Sequence, residues 1–368
     1  MIRERWYHRW DPLQLLLAAA LATLGLMTLY STSRTAFGSQ LAGLALGAAA
    51  FTALAVFDYR RLRPAAPWLY AAALLLLLAV AVAGHSALGA QRWIRLAGVQ
   101  LEPSEVAKLL ALIALAAYLA GRERLHRRDV LVVLGLSAAP VALVLRQPDL
   151  GTAIVFVVLA LGLLFLAGAP RLPLAAIAVG GVAAIPLLPH LLHGYQRRRL
   201  EIFLNPGQDP LGAGYNLIQA RIAIGSGGLF GQGWMHGLQG SLGYVPERSS
   251  DFVFAVYAEQ FGLAGCLLLL GLFGLLLMRL LRASTLAPDR FGELLCLGAA
   301  VVFFTQVFQN IGMNLGLTPI AGIPLPFLSH GSSALVTELA MLGLVQSVLL
   351  RRSARVGDRT LVAGFRIA

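Results

Sequence analysis

The chain has 368 residues, of which 58% are hydrophobic and only 12% are charged, with a formal net charge of +12. Soluble domains carry about 25% charged residues, so this composition excludes an ordinary soluble protein, a disordered chain and a disulfide-rich secreted scaffold. The mean hydropathy of +0.76 indicates a membrane protein.

Ten segments are apolar and long enough to cross a bilayer, which takes about 20 residues of helix. Inside lipid, at this hydropathy, only helices satisfy their own backbone hydrogen bonds, so we predict an all-α polytopic membrane protein. We expect this membrane protein to form a single domain, residues 1–368. The predicted spans are residues 13–32, 37–57, 67–84, 103–120, 129–145, 150–167, 171–192, 252–278, 291–314 and 331–350.

The placement of arginines predicts the orientation, because cytoplasmic loops carry an excess of Lys and Arg. With both termini in the cytoplasm, 19 of the 29 basic residues fall on the cytoplasmic side and four in the short loops opposite. The positive charge therefore needs no nucleic-acid partner. Residues 193–251 form one long loop between the seventh and eighth spans, which we expect to be an ordered external cap.

Charged residues in or beside spans are energetically expensive and are candidates for function. Lys108, the one Lys in the chain, follows Glu105 by three residues on the fourth span. It either snorkels to the surface while paired with Glu105 or faces a cavity that holds an anionic head group. In the preceding external segment, Arg92 could bind phosphate, whereas Trp93 could simply be an interfacial anchor.

Asp251 immediately precedes the eighth span. An Asp at this place commonly caps a helix, but a carboxylate at the membrane boundary could also act as a general base. Glu259 and Glu338 lie inside spans and need a partner or a water-filled cavity. The glycine-rich run 225–233 lacks the context of a phosphate-binding loop, so tight turns and close packing explain it better.

Spaced motifs run in order along most of the chain. They are Arg92-Trp93, Pro103-Ser104-Glu105 with Lys108, residues 147–152, residues 209–215, Pro246-Glu247 with Asp251-Phe252, and the long run from Asn310 to Ser333. Together they resemble the signature of the SEDS family (shape, elongation, division and sporulation; FtsW, RodA and SpoVE). One departure is His330-Gly331-Ser332, where the family usually has Tyr-Gly-Gly.

The resemblance implies a peptidoglycan glycosyltransferase that polymerises lipid II on the outer face of the bacterial cytoplasmic membrane. The reaction would invert C1 of the donor sugar and release undecaprenyl pyrophosphate. The implied partners are a class B penicillin-binding protein and other membrane proteins of the elongation complex. Arg248 and the short N-terminal tail resemble the RodA branch, which serves cell elongation, with division and sporulation roles as alternatives.

By the same resemblance, Asp251 is the catalytic carboxylate. The expected substrate-binding residues are cations, their neighbours and motif residues: Lys108, Glu105, Arg92, Trp93, Arg197, Arg198, Arg199, Arg221, Glu247, Arg248 and Ser329. A divalent cation, Mg²⁺ or Mn²⁺, at the pyrophosphate is the one cofactor considered, and the seven scattered His residues predict no metal site. Two other functions stay open, a lipid II flippase and a non-catalytic scaffold of a cell-wall synthase.

Overall fold

The computed structural model describes residues 10–352 apart from residues 84, 88–89, 97–98, 185–193, 206 and 208–211. The first half of the chain contains α1 (Pro12–Thr32), α2 (Arg34–Val56), a 3-10 turn (Tyr59–Arg61), α3 (Leu62–Ala83), β1 (His85–Ala87), β2 (Ala90–Leu96), β3 (Val99–Leu101), α4 (Pro103–Ala120), α5 (Arg127–Arg146), α6 (Leu150–Leu166) and α7 (Arg171–Ala184). The second half contains α8 (Tyr195–Leu204), α9 (Ala213–Ser226), α10 (Leu238–Ser241), α11 (Val253–Thr285), α12 (Arg290–Leu315) and α13 (Ser332–Leu350).

Apolar helices dominate the structure and confirm a helical, multi-pass membrane protein. Eight helices of the described residues are long and apolar enough to cross a bilayer, namely α1 to α5 and α11 to α13. The helices α6 and α7 are apolar but shorter. The count of ten spans stays a prediction, because the seventh predicted span ran to residue 192 and residues 185–193 lie outside the described part.

Three helices, α4, α12 and α13, are mostly buried and form the centre of the bundle, whereas α2, α3 and α5 are largely exposed. The central helices carry buried polar side chains, among them Lys108, Asn310 and Glu338. Burying such groups costs several kcal/mol unless they are paired, so their partners are the first place to look for a site.

The long segment between α7 and α11 is ordered where the structure describes it, as expected. Its helices α8 and α9 bury apolar side chains of their own, including Ile202 and Leu217. These pack against Phe252 at the start of α11 and Met313 near the end of α12. The segment thus has a small core of its own and is attached to the central helices. Which side of the membrane it faces stays a prediction.

The helix α11 was predicted as one uninterrupted span, but it breaks at Gly262, whose backbone has φ 63°. The glycine-rich run fills the break. The amides of Gln232 and Gly233 donate to the carbonyls of Glu259 and Gln260 at 2.9 and 3.1 Å. In return, the amides of residues 263 and 264 donate to the carbonyls of residues 228 and 229 at 2.9 and 3.0 Å. The run is therefore a close-packing element, as the sequence indicated.

A small antiparallel sheet of three strands, in the order β1-β2-β3, joins α3 to α4. Within it Ile94 pairs with Leu101 and His85 with Trp93. The sequence predicts an external segment here in an all-α protein, so the sheet is an addition to the predicted fold. Short strands of mixed composition show little periodicity, which is why the pattern did not reveal them.

Candidate active site

Asp251 lies in a tight turn that leads into α11 and is half-buried. The amides of Ser250 and Phe252 both donate to the carbonyl of Glu247, which closes the turn. Glu247 itself has φ 50°, an unusual conformation for a residue with a side chain. Phe252, not Asp251, is the N-cap of α11 and makes no side-chain cap hydrogen bond. Asp251 thus lies one residue before the cap position, and the helix-capping interpretation of its side chain stays a prediction.

Two asparagines of α12 hold the backbone of this turn. The side-chain amides of Asn310 and Asn314 donate to the carbonyl of Asp251 at 3.1 and 3.0 Å. Asn314 also accepts from the amide of Ala255 at 3.2 Å, and Asn310 donates to the carbonyl of Ile323 at 2.8 Å. Both side chains are fully buried. They fix Asp251 between α11 and the loop that follows α12.

The loop between α12 and α13 binds the backbone of the same turn from the other side. Ser329 donates from its hydroxyl to the carbonyl of Ser250 at 2.7 Å and accepts from the amide of Leu325 at 2.8 Å. The amide of His330 donates to the carbonyl of Ser249 at 2.7 Å. The hydroxyl proton of Ser329 is thus used within the protein, so its predicted substrate contact stays a prediction.

His330, the residue that departs from the family pattern, joins this loop to α2. Its Nε2 is 2.7 Å from the hydroxyl of Ser39, and the neighbouring Gln40 binds the carbonyl of Ser329 and the amide of Gly331. Burial lowers the pKa of His330 below its ordinary value, because a charged imidazole loses hydration there. The sequence analysis found no role for Ser39 or Gln40, since neither lies in a charged or strongly spaced motif.

Glu105 and Lys108 form an ion pair on α4, with Nζ and Oε1 at 2.8 Å and both side chains 2% exposed. The predicted pair with Glu105 is therefore confirmed, whereas Lys108 does not snorkel to the surface, because the ammonium is buried. Both charges also act on Glu338 of α13. Glu338 accepts the amide of Phe327 at 2.9 Å and so holds the same loop that carries Ser329.

The predicted loop arginines bind the protein at separate places. Arg199 donates to the carbonyl of Ile320 at 3.0 Å, and Arg221 to that of Gly316 at 3.3 Å, both in the connection after α12. Arg197 is exposed and pairs with Glu201 on its own helix at 2.8 Å. Arg198 is exposed beside it.

Arg248 is half-buried and donates to the carbonyl of Gly240 in α10. Glu259 of α11 holds the same short helix, because its carboxylate accepts the amides of Gln239 and Gly240 at 2.7 and 2.9 Å. Glu259 is fully buried. The partner that the sequence analysis required for Glu259 is thus the backbone at the start of α10. Arg248 and Glu259 together tie α10 to the turn that carries Asp251.

Other predicted site residues lie on β2 or outside the described part of the chain. Arg92 and Trp93 lie on β2, and only their backbone is described. Residues 209–211 of the motif 209–215 lie outside the described residues. Among the described residues there is no group of three His, Cys, Asp or Glu that could hold a metal ion.

The chain is similar to known proteins over most of its length. A family model described as "Cell cycle protein", that of FtsW, RodA and SpoVE, matches residues 10–354. The peptidoglycan glycosyltransferase MrdB of Escherichia coli strain K12 is 40% identical over 354 residues, covering 93% of this chain and 94% of that protein. A probable peptidoglycan glycosyltransferase FtsW of Trichlorobacter lovleyi is 34% identical over 358 residues, covering 92% and 93%.

Solved structures agree with the sequence matches. A chain from a study of polymerization and crosslinking by a peptidoglycan synthase complex has a TM-score of 0.81 and 36% identity, covering 92% of this chain and 97% of that chain. The rod shape determining protein RodA of Thermus thermophilus has a TM-score of 0.72 and 33% identity, covering 93% and 97%. Since these matches span nearly the whole sequence, the chain belongs to the FtsW/RodA/SpoVE family.

Proposed function

We propose that this chain is a peptidoglycan glycosyltransferase that joins lipid II units into glycan strands, with Asp251 as the general base. The observation that carries the proposal is the turn at Asp251, whose backbone is held by Asn310, Asn314 and Ser329. A general base has to stay within hydrogen-bond reach of the proton it removes, so a rigid carrier suits the task. The names of the E. coli and T. lovleyi relatives support the reaction class.

The chemistry needs a base at one end of the reacting bond and positive charge at the other. The Asp251 carboxylate takes the proton of the acceptor 4-hydroxyl as that oxygen attacks C1 of the donor sugar. The bond from C1 to the pyrophosphate breaks, and undecaprenyl pyrophosphate leaves with the electron pair from the opposite face. The anomeric centre is therefore inverted. Cations that bind the leaving pyrophosphate stabilise the charge that develops in the transition state.

The candidate cations differ in their surroundings. Arg197, Arg198 and Arg221 are exposed. A guanidinium has several N–H donors, so one hydrogen bond to the protein still leaves others for a phosphate. Lys108 is buried against Glu105, and it would reach the pyrophosphate only through a cavity that opens on substrate binding. We therefore assign the exposed arginines to the first contact with the pyrophosphate and Lys108 to the complex in which that cavity has opened.

The proposal includes a place and a partner. The reaction would take place on the outer face of the bacterial cytoplasmic membrane, with both termini in the cytoplasm, since the charge distribution favours that orientation. A class B penicillin-binding protein would crosslink the strands. The likeness to a chain of a peptidoglycan synthase complex supports such a partner. The identity to MrdB and the likeness to RodA support the elongation branch.

Replacing Asp251 tests the proposal directly. We expect Asp251→Asn to abolish lipid II polymerisation by the purified protein with its partner, because an amide cannot accept the acceptor proton at neutral pH. Membrane insertion should stay at the parent level and the turn should keep its place, since Asn310, Asn314 and Ser329 hold it by backbone carbonyls that the substitution leaves intact. Glycan products are measured by gel electrophoresis of labelled lipid II.

The matched control is Glu123→Gln, which removes one exposed carboxylate outside the spans and should leave polymerisation unchanged. Glycan synthesis by Asp251→Asn at the parent rate would contradict the assignment of the base. Labelled lipid II in vesicles that contain the purified protein tests the transport alternative, which predicts translocation without polymer.

A further inference from the structure

The segment 222–246 contains no Asp, Glu, Lys or Arg, although it belongs to the long connection between α7 and α11. Large apolar side chains project from it. We call Leu229, Phe230, Trp234 and Leu238 the apolar patch; Phe230 is 83% exposed and Leu229 64%. An exposed apolar surface of this kind marks a contact with lipid or protein.

The helices α1 and α11 run side by side, so distances along them give the depth of the patch in the bilayer. At one end Arg279 of α11 binds Asp11, the N-cap of α1, with its Nη2 at 2.6 Å from Oδ2 of Asp11. Toward the other end Gln260 donates to the hydroxyl of Ser31 at 2.7 Å. Ser31 is 20 residues beyond Asp11, and Gln260 is 19 residues before Arg279. Equal numbers of residues from the ion pair therefore correspond to nearly equal heights on the two helices.

Two independent contacts place the patch at one height. Trp234 donates from Nε1 to the carbonyl of Met27 at 3.0 Å. Met27 is 16 residues from the ion pair along α1, which is about 24 Å of helix. Gly231, next to Phe230, packs against the break at Gly262. Gly262 is 17 residues from the same ion pair along α11, which is about 25 Å.

This height lies within the bilayer. The hydrocarbon core is about 30 Å thick. The Asp11–Arg279 pair lies at its boundary or outside it, because α1 begins there and a second arginine, Arg282, lies one turn further along α11. A patch about 25 Å from the pair is therefore about 5 Å inside the opposite boundary. If the pair lies further out, the patch lies deeper. Arg221 is the last charged residue before the patch, and it binds the carbonyl of Gly316 at the C-terminal end of α12. The end of a spanning helix lies near the membrane boundary, which agrees with a patch just inside that boundary.

Irregular backbone enters hydrocarbon only where its polar groups are paired. The loop meets this condition for the backbone groups that it shares with α11 across Gly262, which form four hydrogen bonds between 2.9 and 3.1 Å. The amide of Gly231 is paired within the loop, to the carbonyl of Gly227 at 2.8 Å. The exposed side chains Leu263 and Leu267 of α11 continue the apolar surface just beyond the break.

We propose that residues 227–235 form a re-entrant segment, and that the apolar patch contacts the acyl chains of the leaflet opposite the Asp11–Arg279 pair. The sequence alone would place the whole connection outside the bilayer. The segment instead anchors the connection in lipid, one short helix away from the turn that carries Asp251. This inference does not depend on the proposed reaction.

Spin labelling tests the depth. Phe230→Cys is labelled with a nitroxide, reconstituted without a partner in vesicles of phosphatidylethanolamine and phosphatidylglycerol, and examined by power-saturation electron paramagnetic resonance. We expect frequent collisions with O2, which dissolves in hydrocarbon, and rare collisions with a water-soluble nickel chelate. The matched control is Glu201→Cys, an exposed position on α8 that should show the reverse. The ratio of the two collision rates should differ several-fold between the positions.

The parent protein, whose Cys266 and Cys296 are buried, serves as the blank. Free access of the nickel chelate to position 230 in the protein alone would overturn the proposal. Protection that arises only after a partner protein is added would overturn it too, because it would assign the patch to a protein contact. Leu229→Cys provides the same measurement if the first variant does not fold.

Discussion

Lys108 shows how a charge is kept inside a membrane-spanning helix. Its ammonium is 2.8 Å from the carboxylate of Glu105, and both side chains are enclosed by protein. Spacing of three residues puts the two on one helical face, so the sequence was enough to predict the pair. It did not predict that both charges also interact electrostatically with Glu338 of another helix, because spacing along the chain carries no information on contacts between helices.

Removing one member of the pair separates its structural from its functional role. Lys108→Met should lower the free energy of unfolding by about 3–5 kcal/mol, because it leaves the Glu105 charge buried and unpaired. The double variant Lys108→Met/Glu105→Leu should recover most of that loss, since both groups become apolar at similar volume. We expect the double variant to be stable but unable to polymerise lipid II. Thermal unfolding in detergent and the polymerisation assay measure the two effects.

Substrate binding by Lys108 would be contradicted by a double variant that makes glycan at the parent rate. In that case the pair would serve only to fill the space between α4 and its neighbours. Glu123→Gln serves again as the reference for expression and assay.

At the scale of elements, α11 combines two helical segments with different surroundings. From Val253 to Gln260 every residue is buried, whereas beyond Gly262 the helix turns several leucines outward. The sequence indicated one apolar span because a glycine in an apolar run does not by itself end a helix. The break depends on the glycine-rich run of a distant segment, which supplies the hydrogen bonds that the helix gives up.

Gly262→Ala should disturb this junction. A Cβ at that position would overlap the backbone nitrogens of Phe230 and Gly231, and the residue would keep a positive φ. We expect a loss of about 2–4 kcal/mol in the free energy of unfolding, from steric overlap and backbone strain together. Differential scanning fluorimetry in detergent measures the shift in melting temperature.

Gly271→Ala is the matched control in the same helix, because a Cβ there meets nothing within 4 Å. It should be neutral or stabilising by up to about 1 kcal/mol, as expected for Ala in place of Gly in a helix. Equal melting temperatures for the two variants would show that the break at Gly262 does not constrain the fold.

At the scale of the whole molecule, cations concentrate where the chain is predicted to face the cytoplasm. The described contacts at that end are ionic: Arg279 binds Asp11, Arg60 binds Asp289, and Arg351 pairs with Asp58 at 3.3 Å. The opposite end, around Asp251, relies instead on side chains bound to backbone, both uncharged ones such as Asn310 and Ser329 and charged ones such as Arg248 and Glu259. This difference agrees with a cytoplasmic end selected for orientation and another end built around a site.

Reporter fusions test the orientation. Green fluorescent protein at the C-terminus should fluoresce in a bacterial host, because the cytoplasm allows it to fold, and alkaline phosphatase fused after residue 205 should be active outside. The reason is the excess of arginine in the segments assigned to the cytoplasm. The reverse pattern, an inactive phosphatase at residue 205 with a dark C-terminal fusion, would contradict both the orientation and the outer-face site.

Hydropathy and spacing along the chain were sufficient for the helical membrane class, the approximate bounds of most helices, the Glu105–Lys108 pair and the family. These properties are local or compositional, so each can be predicted from one segment without knowing which segments pack against it. The partners of Asp251 on α12, the contact of His330 with Ser39, the break in α11 and the depth of the apolar patch depend on segments far apart in the chain. Packing alone brings those segments together, and no periodicity records which backbone carbonyl a buried asparagine will bind.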